Sequence, residues 1–445
     1  LDEKVGMMMI TTQNMGKSLE DKSKTSHKGV LNEEYRESKS NIFADQKEYG
    51  NSYTVEKLHM RHFILRENHS EVDIADWINA MNEVAEGTRL GIPVLIASNS
   101  RNENAERTFG MNDAVGVFST WPGTLGLAAA ALGDIKKGED ADIISDFAKY
   151  ARREWTATGI RKGYMYMIDT PTDPRWQRTY GTFGEGVDLI CDATKRLILG
   201  FQGEELGEDS VALTMKHFPG GGARENGFDP HYEEGQFNVY KTPGSLEKYH
   251  LPPFQVAVDY KTSSIMPYYS IPSKDRSSPQ EYKGEVMPFE DVGFAFNKYF
   301  IDELLRKKMG FEGYINSDSG IIDNMDWGVK HLSKEEKAAL AINTGVDIIA
   351  DTNEVFWIKQ AVESGKISQE RIDEANIRLL TEMFKLGLFD SKTYVDPDVA
   401  KKTIADKESW DRAYEAHQKS VVILKNKDVF PFEKNAKVYV EGLHK

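Results

Sequence analysis

Two rhythms of apolar positions run along the chain. Over residues 73–89, Ile74, Trp77, Ile78, Met81 and Val84 recur at three- and four-residue spacing, which predicts an amphipathic helix. Similar spacing predicts helices over residues 125–132, 143–158, 185–199, 301–309 and 335–343. Between them lie short unbroken apolar runs at 62–65, 94–97, 164–169, 211–218, 264–269, 313–316 and 346–350. Such runs predict strands buried on both faces, as in a parallel sheet covered by helices. Their regular alternation with helices favours a TIM-type (β/α)8 barrel over a doubly wound sheet. No Gly-x-Gly-x-x-Gly turn follows the first run, which weakens the dinucleotide-binding alternative.

The ends of the chain read differently. Residues 1–9 are expected to form an amphipathic helix, and the polar stretch 17–51 surface loops and short helices. After Phe389 a polar, proline-containing segment leads to a helix over 410–419 and then to extended chain at 421–432. Residues 436–442 alternate like the first strand of another domain. The expectation is a barrel over 1–389, a linker over 390–435 and the start of a second α/β domain at 436–445, whose remainder lies outside this sequence. Any signal segment would likewise precede Leu1.

Composition narrows the function classes. The 445 residues are 40% hydrophobic and 29% charged, values of a globular protein with a sizeable core. No apolar run approaches the roughly 18 residues of a membrane span. An excess of acidic over basic residues, 71 to 56, gives a net charge of -15 and argues against nucleic acid as a partner. A neutral sugar is not repelled by that charge. The lone Cys191 excludes an intrachain disulfide and reads as a small apolar residue beside Ile190. No metal or cofactor is called for.

Chemistry gathers at the ends of the predicted strands. The run at 313–316 leads directly into Ser317 and Asp318 and is broken by Gly320. A single strand-end aspartate often only caps the next loop. Here, however, other strands also end in polar clusters: Asp173 to Arg178 with Trp176 between them, Lys216-His217-Phe218, and Tyr268-Tyr269-Ser270. In a parallel barrel these ends converge on one mouth. Cationic and hydroxyl donors, an indole and a carboxylate suit a polyhydroxylated neutral ligand.

The same residues carry a resemblance. Gly91-Ile92-Pro93, Asp173-Pro174-Arg175-Trp176, Lys216-His217-Phe218, Asn316-Ser317-Asp318, Gly387-Leu388-Phe389 and Val422-Ile423-Leu424-Lys425-Asn426 resemble glycoside hydrolase family 3 in order and spacing. The resemblance implies that Asp318 is the nucleophile of a retaining enzyme and forms a covalent glycosyl-enzyme. It also implies that Arg178, Lys216 and His217 bind hydroxyls of the terminal sugar, with Tyr269 beside the nucleophile. Three positions depart from the family pattern. Asn99 stands where a sugar-binding aspartate is common, with Arg101 as a neighbour able to reshape the pocket. Ser319 replaces a tryptophan, and Gln177 a glycine.

A retaining glycosidase needs a second group to protonate the leaving oxygen. In the β-glucosidase branch this is a glutamate on a later domain. In the N-acetyl-β-hexosaminidase branch it is an Asp/His pair after the Lys-His-Phe strand, which Asp229-Pro230-His231 matches in part. Those residues also suit an ordinary loop turn or a substrate-binding element. The linker favours an exo-acting β-glucosidase releasing terminal β-D-glucosyl residues from oligosaccharides or glucosides. The alternatives are a hexosaminidase using Asp229 and His231, and a non-catalytic sugar-binding barrel. The resemblance favours a periplasmic or secreted setting, and a homo-oligomer is allowed but required by no residue.

Overall fold

The structure, a computed structural model, describes residues 1–39, 44–104, 117–138, 142–404, 406–439 and 441. Eight parallel strands close a barrel in chain order: β1 (Met9–Gln13), β2 (His62–Leu65), β3 (Leu95–Ser98), β4 (Lys162–Gly163), β5 (Ala212–Phe218), β6 (Ser264–Pro267), β7 (Tyr314–Ser319) and β8 (Ile348–Ala350). The seam is β8 against β1, with Met9 opposite Ile349 and Ile10 opposite Ala350. Six of the seven expected runs contribute a barrel strand, and the seventh, 164–169, directly follows one.

The eighth strand, β1, corrects the reading of residues 1–9 as one helix. The helix covers only Asp2–Met7, and the chain turns extended at Met9. Met7, Met8, Met9 and Ile10 are all buried, so helix and strand share one apolar run with no change of period to mark the join. The fourth strand also differs. Its ladder is Lys162–Gly163, ahead of the expected 164–169 run. That run still bonds to β5 irregularly, through Lys216 N–H to the Tyr166 carbonyl (2.9 Å) and Ile168 N–H to the Lys216 carbonyl (2.8 Å).

Helices cover the outside. Glu71–Glu86 buries all five residues of its expected stripe, and the Ser70 side chain caps it by accepting from Asp73 N–H. Thr124–Lys137, Asp142–Thr158, Val187–Phe201, Tyr299–Lys308 and Lys334–Thr344 match the other predicted helices. The barrel floor is closed by a buried ion pair, Lys162 Nζ to Glu382 Oε2 (2.7 Å). Ser264 accepts from Lys162 (2.9 Å), and Tyr314 donates to Glu382 (2.9 Å).

Two regions outside the barrel depart from expectation. The polar stretch after β1 contains two small hairpins, Thr25–Ser26 with Leu31–Asn32 and Arg36–Lys39 with Ala44–Glu48, and it buries Met15 and Leu31. Part of the expected linker is docked on the barrel. Helix Lys407–Lys419 is fixed by Tyr150 to Glu408 (2.6 Å), Arg412 to Asp146 (2.7 Å) and Lys419 to Asp134 (3.0 Å). Residues 421–439 form no helix or strand and are exposed, Leu424 at 94%. Residues 436–439, expected as a strand, pair with no strand among the described residues.

Candidate active site at the barrel mouth

Strand β7 is buried along its whole length and delivers Asp318 to the C-terminal end of the barrel. Gly320 takes φ +74° there, a conformation open to glycine, and ends the strand. Ser317 fastens this end to β8, its hydroxyl accepting from Ala350 N–H (2.9 Å). The two Asp318 oxygens are treated differently. Oδ1 accepts from Ser319 N–H (2.8 Å), whereas Oδ2 is buried, accepts no hydrogen bond and lies 3.7 Å from His217 Nε2.

Strand β5 supplies Lys216 and His217. Lys216 Nζ donates to the Tyr164 carbonyl (2.7 Å) and stands over the Tyr164 ring. Burial pulls its pKa down to about 7, against the opposing pull of Asp318. His217 Nδ1 lies 3.0 Å from Asp169, and its Nε2 faces Arg178 Nη1 at 3.4 Å. Burial lowers the imidazole to about 4 although Asp169 resists, so His217 is neutral at pH 7. The hydrogen-bond network then assigns its proton to Nδ1, pointing at Asp169, and leaves Nε2 as an acceptor beside Asp318.

Asp169 was not singled out from the sequence. It is fully buried and accepts from His217 N–H (3.2 Å), His217 Nδ1 and Gly221 N–H. Burial works against its charge, but His217 and these donors outweigh it and hold the pKa below the usual value. The signal was present, because Asp169 ends an apolar run as Asp318 does.

The loops after β4 and β5 bring Arg178, Asp229 and His231 together. Arg178 Nη1 donates to the Tyr268 hydroxyl (3.3 Å). Burial disfavours the guanidinium charge, but Tyr268, Asp229 and Asp318 outweigh it and raise the pKa. Asp229 Oδ2 accepts from Trp176 Nε1 (2.8 Å) and Tyr268 (3.0 Å). Its Oδ1 accepts from His231 N–H (3.1 Å) and meets His231 Nδ1. Burial opposes the Asp229 charge, but His231, Arg178 and Trp176 hold its pKa far below the ordinary range. The His231 ring packs edge-on against Tyr269 at 5.0 Å, and Trp327 pins the loop by donating to the Pro230 carbonyl (2.8 Å). Tyr269 in turn donates to the Ser319 carbonyl (2.8 Å), next to Asp318.

Asn99 also faces this cluster. With its amide turned to satisfy both neighbours, it accepts from Arg66 Nη1 (2.9 Å) and donates to the Tyr164 carbonyl (3.1 Å). Arg66 is itself held by Thr12 (3.0 Å) and Asp351 (3.2 Å). Arg66, which follows the apolar run of β2, is therefore the cation at Asn99. Arg101 instead ties two strands together, donating to Ser98 Oγ (2.8 Å) and the Leu65 carbonyl (2.8 Å). No group of three or more metal-ligating side chains occurs among the described residues.

This is a (β/α)8 barrel whose mouth gathers one incompletely bonded carboxylate, several cations and two histidines. Residues 2–382 match the glycosyl hydrolase family 3 N-terminal domain, and the chain belongs to glycosyl hydrolase family 3. It is 36% identical over 408 residues to a probable beta-glucosidase C of Aspergillus flavus, covering 88% of this chain and 61% of that protein. It is 32% identical over 391 residues to a periplasmic beta-glucosidase/beta-xylosidase of Dickeya chrysanthemi, covering 83% of this chain and 57% of that protein. The chain thus spans about three fifths of the length of these relatives. A beta-glucosidase from Listeria innocua has the same fold at TM-score 0.70 and 22% identity, covering 97% of this chain and 51% of that one. A family 3 beta-N-acetylglucosaminidase from Paenibacillus also shares it, at TM-score 0.69 and 20% identity, covering 98% of this chain and 71% of that one.

Proposed function

We propose that the chain is the catalytic barrel of an exo-acting, retaining β-glucosidase with Asp318 as its nucleophile. The observation that carries this reading is the asymmetry of Asp318, one oxygen bonded to Ser319 N–H and the other buried and accepting nothing. Oδ2 attacks the anomeric carbon as the bond from that carbon to the leaving oxygen breaks, and a general acid gives that oxygen its proton. Water then cleaves the glycosyl-enzyme ester and restores the carboxylate. Arg178 and Lys216 donate to hydroxyls of the terminal glucose, and His217 accepts from one through Nε2. Asn99, held by Arg66, offers amide contacts without a charge of its own. The relatives named beta-glucosidase support the sugar. The exposed run from residue 421 supports a linker leading to a further α/β domain that brings the acid.

A specific observation favours a second reading. His231, bonded through Nδ1 to Asp229 and packed on Tyr269, has the arrangement of an acid/base oriented by a carboxylate, as an N-acetyl-β-hexosaminidase would use. Hydrolysis of paired aryl β-glucoside and aryl N-acetyl-β-glucosaminide separates the two. The expected result is preference for the glucoside, with His231→Ala retaining most of the activity. Preference for the acetylated sugar, with His231→Ala losing about 10²–10⁴-fold in kcat, would instead make His231 the acid. Turnover of neither substrate would leave a sugar-binding barrel.

A further inference from the structure

The segment that leaves the C-terminal end of β1 rises beside the mouth and forms the hairpin Arg36–Lys39 with Ala44–Glu48. Its returning strand is fixed to the loop after β8, where Lys47 pairs with Glu354 (2.5 Å) and Asn353 donates to the Lys47 carbonyl. Arg36 holds Glu48 at 3.1 Å. Glu48 is raised in pKa by burial and, against Arg36, by the Asp351 carboxylate, the same residue that holds Arg66 against Asn99. The hairpin base is therefore part of the rim of the sugar site.

Directly after Glu48 stands a column of three tyrosines. Tyr49 stacks on Tyr53, from helix Asn51–Glu56, with centroids 5.0 Å apart and planes 18° from parallel. Tyr35 leans on Tyr49 at 5.2 Å and 50°. Tyr35 and Tyr53 remain 50% and 47% exposed, so the rings pack on each other and not under the core. A group of half-exposed aromatic rings costs hydration free energy and marks a contact surface more often than a structural one. The edges are polar, Tyr35 donating to Glu37 at 3.0 Å.

We propose that Tyr35, Tyr49 and Tyr53 form a docking platform for a pyranose ring of a neutral β-linked oligosaccharide, on the leaving-group side of the bond cleaved at Asp318. The terminal sugar fills the pocket closed below by the strand ends, so the rest of a longer chain leaves across the rim. A pyranose presents C–H groups on its face and hydroxyls at its edge, matching flat rings bordered by carboxylates. The same carboxylates and the net charge of -15 disfavour an anionic polymer. The placement on the leaving-group side rests on the glycosidase reading, whereas the platform itself does not.

The test is calorimetric binding of cellotetraose, laminaritetraose and methyl β-glucoside to the full chain carrying Asp318→Asn, with and without Tyr53→Ala or Tyr35→Ala. The expected result is a tetrasaccharide Kd weakened roughly ten-fold by either substitution, the size of one aromatic contact, with methyl β-glucoside affinity unchanged. Tyr53→Phe keeps the tetrasaccharide affinity. The proposal is overturned by unchanged tetrasaccharide binding in both alanine variants, by equal weakening for the monosaccharide glycoside, or by no tetrasaccharide binding in the parent. The glycosidase reading fails separately if the unsubstituted chain binds tetrasaccharide through these tyrosines but cleaves no β-glucoside.

Discussion

The barrel buries charge at both ends, and the two ends differ in how completely that charge is bonded. At the floor, both Glu382 oxygens are used, Oε1 by Tyr314 and Oε2 by Lys162 and Ser263, and the Lys162 ammonium also reaches Ser264. At the mouth, Asp318 keeps one oxygen without a hydrogen bond, 3.7 Å from His217 Nε2, which is held only by a long contact to Arg178 Nη1 (3.4 Å). A closed network holds a fold together, whereas an open one is unfavourable until a ligand completes it. The two carboxylates are buried to a similar degree, so burial alone does not separate them. Bond completion does.

The largest test of this contrast is Asp318→Asn. Loss of the nucleophile is expected to lower kcat on aryl β-glucoside by at least about 10⁴-fold. The urea midpoint should stay the same or rise, because a poorly bonded buried charge is removed. A clear fall in stability with activity retained would place Asp318 in the structural class. Lys162→Met is the mirror experiment. Leaving Glu382 buried and unpaired should destabilise the fold by about 3–5 kcal/mol. The kcat/KM of the remaining folded protein should be unchanged. A kcat/KM loss comparable to that of Asp318→Asn would dissolve the distinction between floor and mouth.

The sequence was legible where one physical signal dominated. Apolar runs of strand length marked six barrel strands and the chain just after a seventh, and Asp318, Lys216 and His217 lay at run ends, where a barrel concentrates its polar groups. Strand β1 was lost because helix and strand share the continuous apolar stretch Met7 to Ile10, which carries no period of its own. Asp169 ends an apolar run as Asp318 does, but that position does not show its role, which like that of Arg66 depends on a partner distant in the chain, His217 for the one and Asn99 for the other. Asp229 and His231 read in the sequence either as a partial acid/base pair or as a loop turn, since nothing in their spacing shows that Trp176, Tyr268 and Tyr269 gather around them. The docked helix Lys407–Lys419 was read as linker because its contacts with Asp146 and Tyr150 are pairs of opposite surface charge and hydroxyl, without an apolar run to announce them.

Histidine titration gives the finest separation of the two ends. His62, buried at the floor near Lys162 and Glu382, and His217 at the mouth are both brought down to about 4, in each case chiefly by burial. Their unfolded value is about 6.5. Between those pH values the unfolded chain binds a proton that the folded chain refuses, so stability falls as pH drops from about 6.5 to about 4, by something on the order of 3 kcal/mol per histidine. Below about 4 both states are protonated and the loss levels off. Urea unfolding at pH 7 and pH 4.5 should therefore show a smaller acid loss in both His62→Leu and His217→Gln than in the unsubstituted chain. What separates them is kcat/KM at pH 7, expected unchanged for His62→Leu and lowered for His217→Gln, where Nε2 no longer meets the sugar beside Asp318. If both variants kept full kcat/KM, the neutral imidazole at the mouth would be a core histidine like the one at the floor. The open network would then reduce to Asp318 and its cations.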